Sequence, residues 1–431
     1  MGEEKIMQII ENSIVKEKLY VEKLENGLTI MIIPKKNVRK KYVIWATHFG
    51  SIDNHFVLPK NGEEIRIPDG VAHFLEHKMF EQKDGTNSLD TLSALGVDAN
   101  AYTTNDHTAY LFEATDNFYE ALDELMDYVQ NPYFTDENVE KEKGIIAQEI
   151  KMYEDYPEWQ VYLNAIKCMY KENPVRLDIA GTVESISEIT PEILYNCCDT
   201  FYNPANMAMV ICGDFEPDEL LKEIKKRIVK KEYSGEIKRI YTSIETEINE
   251  KEKVVSMDVN NPLFTIGFLD MPNQENMIKR HIEIEILLQM ILGKSSELYR
   301  KLYSEGTLIS EPELDYEFSI NYAHVLITGQ SKEPRKVIEE LKSTLKKMKD
   351  NGIDESLFDR TKKKIYGRYI TDYNSVSDIG RMFLADYFKG INSFEYLEEY
   401  KKVTKESTER LLKELFEENK QVISVVESIS K

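Results

Sequence analysis

Apolar positions recur with strand periodicity in some stretches of the chain and with helical periodicity in others. Residues 18–33 predict two strands around an Asn-Gly turn, because apolar and β-branched residues flank a dipeptide that readily adopts positive φ. A further strand is predicted in YVIWATHFGSIDN, and residues 99–113 also have the composition of a strand. The stretch MAMVICGD predicts a buried strand that a Gly-Asp turn ends.

Three other stretches predict helices. Residues 71–80, VAHFLEHKMF, lack Gly and Pro and repeat apolar residues at helical spacing. An amphipathic helix is predicted from Asn117 to Gln130, where the following Asn-Pro pair ends it. Another helix begins at Thr135 and continues through VEKEKGIIAQEIKMYE, with acidic residues in its first turn. The core side of this helix is expected to comprise Ile145, Ile146 and Ile150.

The second half of the chain repeats the order of the first. Strand, helix, loop and helix follow one another from HTAYLFEAT to EKGIIAQEI, and again from YAHVLITGQ to KKKIYGRYI. Few identities accompany the shared spacing, so chance similarity of two α+β units is the alternative. Hairpin signals mixed with helices predict an α+β fold of two similar domains, each an antiparallel-rich sheet covered by helices. The predicted domains are residues 1–225 and 253–431, with a charged linker at 226–252.

Composition and charge restrict the functional classes. Of 431 residues, 42% are hydrophobic and 31% charged, which is typical of a soluble globular protein. The net charge of −22 argues against nucleic acid and against an anionic membrane as partners, because both would be repelled. The N-terminus is acidic where a signal peptide needs basic residues, and no apolar run reaches about 18 residues. A cytoplasmic location is therefore expected.

Residues 73–77, HFLEH, carry the strongest chemical signal. On a helix, His73 and His77 lie one turn apart, so their imidazoles can converge on one metal ion. Catalytic zinc sites combine such nitrogens with a carboxylate and a water, and Glu76 is a candidate general base for that water. H-x-x-E-H is the inverzincin signature, expected by chance in roughly 1% of such chains. Two helix histidines that pack or face solvent are the alternative.

A third metal ligand should be acidic and come from another element. Glu142 and Glu149 of the helix VEKEKGIIAQEI are candidates for this ligand. They are seven residues apart and therefore lie on one face of the helix, and Glu140 and Glu154 are nearby alternatives. Any single glutamate on a charged helix is more often a solvated surface residue. A purely structural zinc is disfavoured, because structural sites are rich in cysteine and none lies near. The four cysteines show no CxxC spacing and are predicted to be buried thiols.

Four motifs in the same order, HFLEH, NAYTTNDHTAY, EKEKGIIAQEI and YNPANMAMVICGD, resemble the pitrilysin/insulinase peptidases, and among them the half-size members like the mitochondrial processing peptidase. The resemblance implies that His73 and His77 bind Zn²⁺ and that Glu76 activates water. It further implies that Glu149 completes the metal site and that Glu142, on the same helix, supports catalysis by holding a ligand in place.

The same resemblance implies a substrate-binding strand and a clamshell of two halves. Residues of this strand are expected to line the cleft and to pair with the backbone of a peptide substrate. They are Asn100, Ala101 and Tyr102. In the second half, matching the helices puts Thr361 at the position of Glu142 and Arg368 at the position of Glu149. One zinc site per chain is therefore expected.

The resulting hypothesis is a zinc metalloendopeptidase that cleaves short or unstructured peptides, with the processing of a ribosomally made peptide as one use. The alternative is a non-catalytic peptide-binding or scaffolding subunit of a peptidase complex. Such subunits typically break the zinc motif, and the motif is intact here.

A partner subunit is expected because two residues that would contact the substrate are missing from the second half. Active members of the resembled family carry an Arg and a Tyr, seven residues apart, that contact the substrate carbonyl. In the matching turn, ELYRKLYSEGTLIS, Tyr303 stands in place of the Arg and Ser310 in place of the Tyr, although Arg300 lies one turn earlier. A hetero- or homodimer with a related subunit is expected to supply the missing donors.

Overall fold

A computed structural model describes residues 7–229, 236–272 and 275–429 of the chain. The strands are β1 (Gln8–Asn12), β2 (Glu17–Lys23), β3 (Thr29–Pro34), β4 (Lys41–Thr47), β5 (His55–Val57), β6 (Glu64–Arg66), β7 (Asp98–Thr103), β8 (Thr108–Ala114), β9 (Met207–Gly213), β10 (Lys238–Arg239), β11 (Glu252–Met257), β12 (Leu263–Asp270), β13 (Glu313–Phe318), β14 (Ala323–Gln330) and β15 (Gln421–Ser428).

The helices fill the segments between these strands. They are α1 (Val71–Lys78), α2 (Ser88–Ala94), α3 (Phe118–Gln130), α4 (Asp136–Glu154), α5 (Pro157–Met169), α6 (Val183–Ser187), α7 (Pro191–Phe201), α8 (Pro217–Arg227), α9 (Met277–Leu292), α10 (Glu297–Ser304), α11 (Pro334–Asn351), α12 (Glu355–Asp372), α13 (Val376–Phe388), α14 (Glu395–Lys402) and α15 (Lys405–Leu415).

The predicted strands and helices are confirmed, with one correction. Strands β2 and β3 flank a turn in which Gly27 has φ 93°, and α1, α3, α4 and β9 lie where the patterns put them. Residues 99–113, predicted as one strand, instead form the hairpin of β7 and β8. The turn is closed by the Thr104 amide, which donates to the carbonyl of His107 at 2.8 Å. Polar turn residues between two apolar runs carry this signal, which the single-strand interpretation overlooked.

The first half is built around a seven-stranded sheet with the order β1-β2-β3-β9-β4-β8-β7. All neighbouring strands are antiparallel except β3 and β9, which are parallel. The central strands are buried on both faces, and Trp45 of β4 is only 2% exposed. Strand β7 ends the sheet, so one of its backbone edges is not covered by another strand of the sheet. A small sheet, β10-β5-β6, lies apart from it.

The second half repeats this sheet without its first two strands. Its order is β11-β15-β12-β14-β13, which matches β3-β9-β4-β8-β7 strand for strand in chain order. The parallel pair recurs as β11 and β15, and the other neighbours are again antiparallel. The α+β fold with two similar, sheet-rich halves is therefore confirmed, and the repeat extends well beyond the strand-helix-helix run seen in the sequence.

The two compact units are not consecutive along the chain. One comprises the residues up to Ile150, Asp178–Ile240 and Ile370–Ser393, and the other comprises Lys151–Leu177, Tyr241–Tyr369 and the residues from Phe394. Helix α5, from the first half of the sequence, packs on β12 and β15, whereas α13, from the second half, packs on β4 and β9. The halves thus exchange one helix each. The periodicity of α5 shows that it has an apolar face but cannot show which sheet covers that face.

The predicted division into 1–225, 226–252 and 253–431 does not describe this exchange, since it assigns each helix to the half in which it occurs. It remains a prediction about the sequence repeat. Residues 230–235 of the predicted linker lie outside the described residues.

Burial corrects the prediction for one side chain and confirms it for six. Ile146 and Ile150 are buried in α4, but Ile145 is 47% exposed, because it lies about 100° around the helix from Ile146. All four cysteines are free and buried, as predicted. No described helix combines the length and the apolar character that a membrane-spanning segment needs.

The close contact of α13 with β4 generates a test. A Cβ added at Gly380 of α13 would lie 2.5 Å from the ring of Tyr42, so Gly380→Ala should lower the free energy of unfolding by about 1–3 kcal/mol. Gly367→Ala in α12 is the matched control, because a Cβ there meets no atom within 4 Å. The control should be neutral or stabilising by up to about 1 kcal/mol. Urea midpoints measure both changes, and equal stability of the two variants would contradict this packing.

Candidate active site

Helix α1 presents the two histidines from a fixed starting point. It begins after Gly70, which has φ 94° and whose missing Cβ would lie 2.5 Å from the carbonyl oxygen of Ala180. Only glycine fits this left-handed, close-packed position. Apolar residues at helical spacing in α1 are buried, which turns His73 and His77 to one side. Their rings are 4.6 Å apart between centroids.

Glu149 of α4 meets both histidines. Its Oε1 lies 3.7 Å from His73 Nε2, and its Oε2 lies 3.6 Å from His77 Nε2. One ligand atom from each residue lies within 4.8 Å of the others, and this is the one such metal-binding group that the described residues contain. Ligands on a tetrahedral zinc with bonds of about 2.0–2.1 Å lie about 3.3–3.4 Å apart. Two imidazole nitrogens and a carboxylate oxygen at these separations fit zinc.

Glu142 holds the other side of His77. His77 Nδ1 lies 3.1 Å from Glu142 Oε1, so in the neutral ring Nδ1–H donates to this carboxylate and Nε2, which is turned toward Glu149, is the nitrogen that can bind a metal. A hydrogen bond of this kind fixes the tautomer and orientation of a metal-binding histidine. Nδ1 of His73 is buried and has no hydrogen-bond partner among the residues that the structure describes. The two histidines are therefore held differently.

The rival carboxylates lie elsewhere on α4. Glu140 is 68% exposed and pairs with Lys143. Glu154 is exposed at the last residue of the helix and is not part of the metal-binding group. Glu142 and Glu149 instead share the face that contacts α1, as their seven-residue spacing predicted.

Burial and charge set the protonation of the metal-free site. Burial, together with the neighbouring His77, lowers the pKa of His73 to about 3, so this imidazole is neutral near pH 7 and can accept a metal. Burial would lower the pKa of His77 as well, but the Glu142 hydrogen bond and the surrounding carboxylates outweigh it and raise that pKa. Burial likewise opposes the charged form of Glu142, yet contact with His77 and Lys78 lowers its pKa.

Glu76 has a partner that the sequence analysis missed. The Oγ1–H of Thr103 donates to Glu76 Oε2 at 2.6 Å. Burial raises the pKa of Glu76, and the Thr103 hydrogen bond opposes that rise. The strand alternation of β7 was the available signal, since Ala99, Ala101 and Thr103 share one face. On that face, Thr103 is the residue with a polar side chain.

Strand β7 also contains the predicted substrate-binding residues, which are Asn100, Ala101 and Tyr102. The strand lies at the edge of its sheet, and Thr103 joins it to the glutamate of the histidine motif. The Asn100 side chain accepts from the Ala101 amide at 2.8 Å. The edge strand and the metal-binding group are thus neighbours within one unit.

Comparison with known proteins identifies relatives of this chain. The family model "Insulinase (Peptidase family M16)" matches residues 63–183, and "Peptidase M16 inactive domain" matches residues 188–365. A Bacillus subtilis (strain 168) protein named uncharacterized zinc protease YmfH is 39% identical over 411 residues, which are 94% of this chain and 95% of that protein. The chain belongs to the insulinase family of peptidases.

Two further similarities support the family and the fold. A crystal structure of a putative M16-like peptidase from Alicyclobacillus acidocaldarius has a TM-score of 0.91 and 33% identity, with full coverage of both chains. An Arabidopsis thaliana protein named probable mitochondrial-processing peptidase subunit beta is 28% identical over 166 residues, which are 38% of this chain and 31% of that protein. The relatives named zinc proteases support a peptidase with zinc as its metal.

The second half of this insulinase-family chain has an ion pair between α9 and α12, the helices that correspond in chain order to α1 and α4. His281 and Glu285 of α9 keep the four-residue spacing of the two histidines. Arg368 of α12, at the position matched to Glu149, forms an ion pair with Glu285. Tyr369 also donates a hydrogen bond to Glu285. The guanidinium group of Arg368 and the carboxylate of Glu285 neutralise each other here without a metal ion.

The ligand assignment generates a prediction about metal content. The chain should bind about one zinc, and His77→Ala or Glu149→Gln should weaken zinc binding more than about 100-fold, because each removes a ligand atom. Glu154→Gln, on the same helix, is the control and should bind zinc as the unmodified protein does. Competition with a chromophoric chelator measures the affinities. Normal binding by Glu149→Gln with weakened binding by Glu154→Gln would identify the other carboxylate as the ligand.

Proposed function

We propose that this chain is a zinc-dependent endopeptidase that cleaves short or unstructured peptides. The observation that carries the proposal is the convergence of His73, His77 and Glu149 within 4.8 Å, with Glu76 on the same helix turn as His77. An open set of three protein ligands beside a carboxylate that is not a ligand is typical of catalytic zinc rather than structural zinc.

Each residue of the site has a separate role in hydrolysis. When bound, zinc supplies Lewis acidity that polarises the scissile carbonyl and makes water more acidic. Glu76 accepts the proton of the attacking water and later delivers it to the leaving amine, as a general base and then a general acid. Thr103 fixes the carboxylate of Glu76 from the β7 side, and Glu142 fixes the ring of His77.

Strand β7 supports a peptide rather than a folded protein as the substrate. A peptide that adds to this edge would extend the seven-stranded sheet through its own backbone hydrogen bonds. Its side chains would alternate between the two faces of the sheet, so specificity would come from alternate positions. Asn100, Ala101 and Tyr102 would contact this added strand. A folded protein cannot offer a free, extended backbone of this kind.

The alternative is a non-catalytic peptide-binding or scaffolding subunit. The complete set of His73, Glu76, His77 and Glu149 favours catalysis, since a binding subunit needs none of them.

The proposal of a partner subunit rests on a different part of the chain, the turn around α10. Tyr303 of α10 is 54% exposed and stacks on Tyr299, while the Nε of Arg300 donates to the carbonyl of Ser296 at 3.3 Å. We propose that a related subunit in a dimer supplies Arg and Tyr donors to the substrate carbonyl.

The catalytic assignment predicts a separation of metal binding from turnover. Glu76→Gln should retain one zinc and lose peptide hydrolysis by about 10²–10⁴-fold, because the amide cannot accept the proton. Glu137→Gln, an exposed residue in the first turn of α4, is the control and should keep both properties. Zinc content and cleavage of an unstructured peptide pool, read by mass spectrometry, are the measurements. Full cleavage by Glu76→Gln would exclude its role as the general base.

The substrate and partner assignments predict the behaviour of the chain alone. Unfolded polypeptides should be cleaved in preference to the same sequences in folded proteins. The chain alone should turn over slowly, since loss of one oxyanion donor costs about 10²–10³ in rate, and a related subunit should restore the rate. Mass in solution and peptide turnover are measured with and without that subunit. Rapid turnover by a lone monomer or homodimer, unchanged in Arg300→Ala, would refute the proposal that a related subunit supplies the missing donors.

A further inference from the structure

Lys78, which directly follows the second histidine, is the most deeply buried charged side chain beside the site. It is 1% exposed, although lysine is among the residues least often fully buried. Consecutive residues on a helix point about 100° apart, so Lys78 enters the protein interior while His77 faces Glu149. Taking an ammonium group out of water costs several kcal/mol unless partners compensate it. The partners of Lys78 therefore indicate what it does.

Two carboxylates surround the Lys78 ammonium group. Glu81, three residues later, accepts a short hydrogen bond from Nζ. Glu142 of α4 places its Oε2 3.6 Å from Nζ, while its Oε1 accepts the hydrogen bond of His77 Nδ1. The two oxygens of Glu142 thus face two different partners, both from α1. With both oxygens engaged, this carboxylate can orient His77 but has no free oxygen for a metal.

We propose that Lys78 is a positioning residue for the metal site, which acts by holding Glu142 against His77. The inference rests on the proposed function, because it takes zinc as the ion that His77 binds. The ammonium group of Lys78 pairs with Glu81 and Glu142, which are not members of the metal-binding group. It sets the orientation of Glu142, which sets the ring of His77.

The charges around the two imidazoles explain why a cation is useful there. Glu76, Glu142 and Glu149 bring three carboxylates to one small region, and zinc offsets two negative charges. Without Lys78, Glu142 would keep one partner only, and its free oxygen could turn toward the metal in competition with Glu149. Lys78 gives that oxygen an alternative partner and so separates the carboxylate that orients from the carboxylate that binds.

The test replaces Lys78 with residues that keep its bulk but lose its charge. Lys78→Met should weaken zinc binding about 10–100-fold, the usual cost of losing a residue that orients a metal ligand. Lys401→Met is the matched control, since Lys401 also pairs with a glutamate three residues away but lies exposed on α14, and its zinc affinity should not change. Cobalt substitution gives a second readout, because the visible absorption of Co²⁺ reports ligand geometry. It should change in Lys78→Met and not in the control.

A double-mutant cycle separates positioning from a general effect on stability. Glu142→Gln should weaken zinc binding by a similar factor, and adding Lys78→Met to it should cost less than about twofold more, because Lys78 acts through Glu142. Fully additive losses of zinc affinity, or unchanged affinity in Lys78→Met, would overturn the proposal. Lys78→Gln, which keeps a hydrogen-bond donor, should give an intermediate loss. If neither Lys78 variant folds at any zinc concentration, Lys78 is a folding residue and the proposal is also overturned.

The same experiment distinguishes this inference from the proposed function. Zinc affinity and the cobalt spectrum do not depend on peptide cleavage. If the unmodified chain binds zinc but cleaves no peptide, the endopeptidase proposal fails while the role of Lys78 is still measured. If zinc binding and cleavage are both normal in Lys78→Met, only the inference about Lys78 fails.

Discussion

The meeting of α1 and α4 beside the edge strand β7 is the constraint on which the site depends. Gly70 fixes where α1 starts, and the buried apolar residues of α1 fix its rotation, so the histidines have one direction in which to point. Helix α4 then brings two carboxylates to that side with seven-residue spacing. Because one helix supplies the nitrogens and the other the oxygens, a shift of either helix would separate the ligand atoms. Glu142 resists such a shift by contacting two residues of α1.

The second half shows the corresponding pair of helices without a set of metal-binding side chains among its described residues. The second half keeps the same five-strand order and, in chain order, a corresponding pair of helices, α9 and α12, with His281 on α9. Glu285 of α9, four residues after His281, forms an ion pair with Arg368 of α12. In this half a carboxylate and a guanidinium group neutralise each other. The fold therefore accommodates either solution, and the site residues decide which half can bind metal.

The exchange of α5 and α13 makes each compact unit depend on both halves of the sequence. Each sheet is covered by a helix that the other half contributes, and α13 is fitted closely enough that Gly380 has no room for a side chain. A sheet face left without its helix would expose apolar residues to water. The exchange thus couples the folding of the halves, even though the sequence reads as two successive repeats.

The sequence by itself determined the elements and the chemistry of the central motif. Helical spacing placed His73 and His77 on one face, seven-residue spacing did the same for Glu142 and Glu149, and the family resemblance chose Glu149 among the acidic candidates. Tertiary structure decided what local patterns cannot encode, because periodicity identifies an apolar face without identifying what covers it. It decided that α5 and α13 change places, that residues 99–113 fold into a hairpin, and that Ile145 faces solvent. It also decided that Thr103 contacts Glu76 and that the buried Lys78 contacts Glu142, since only three-dimensional packing brings these partners within reach.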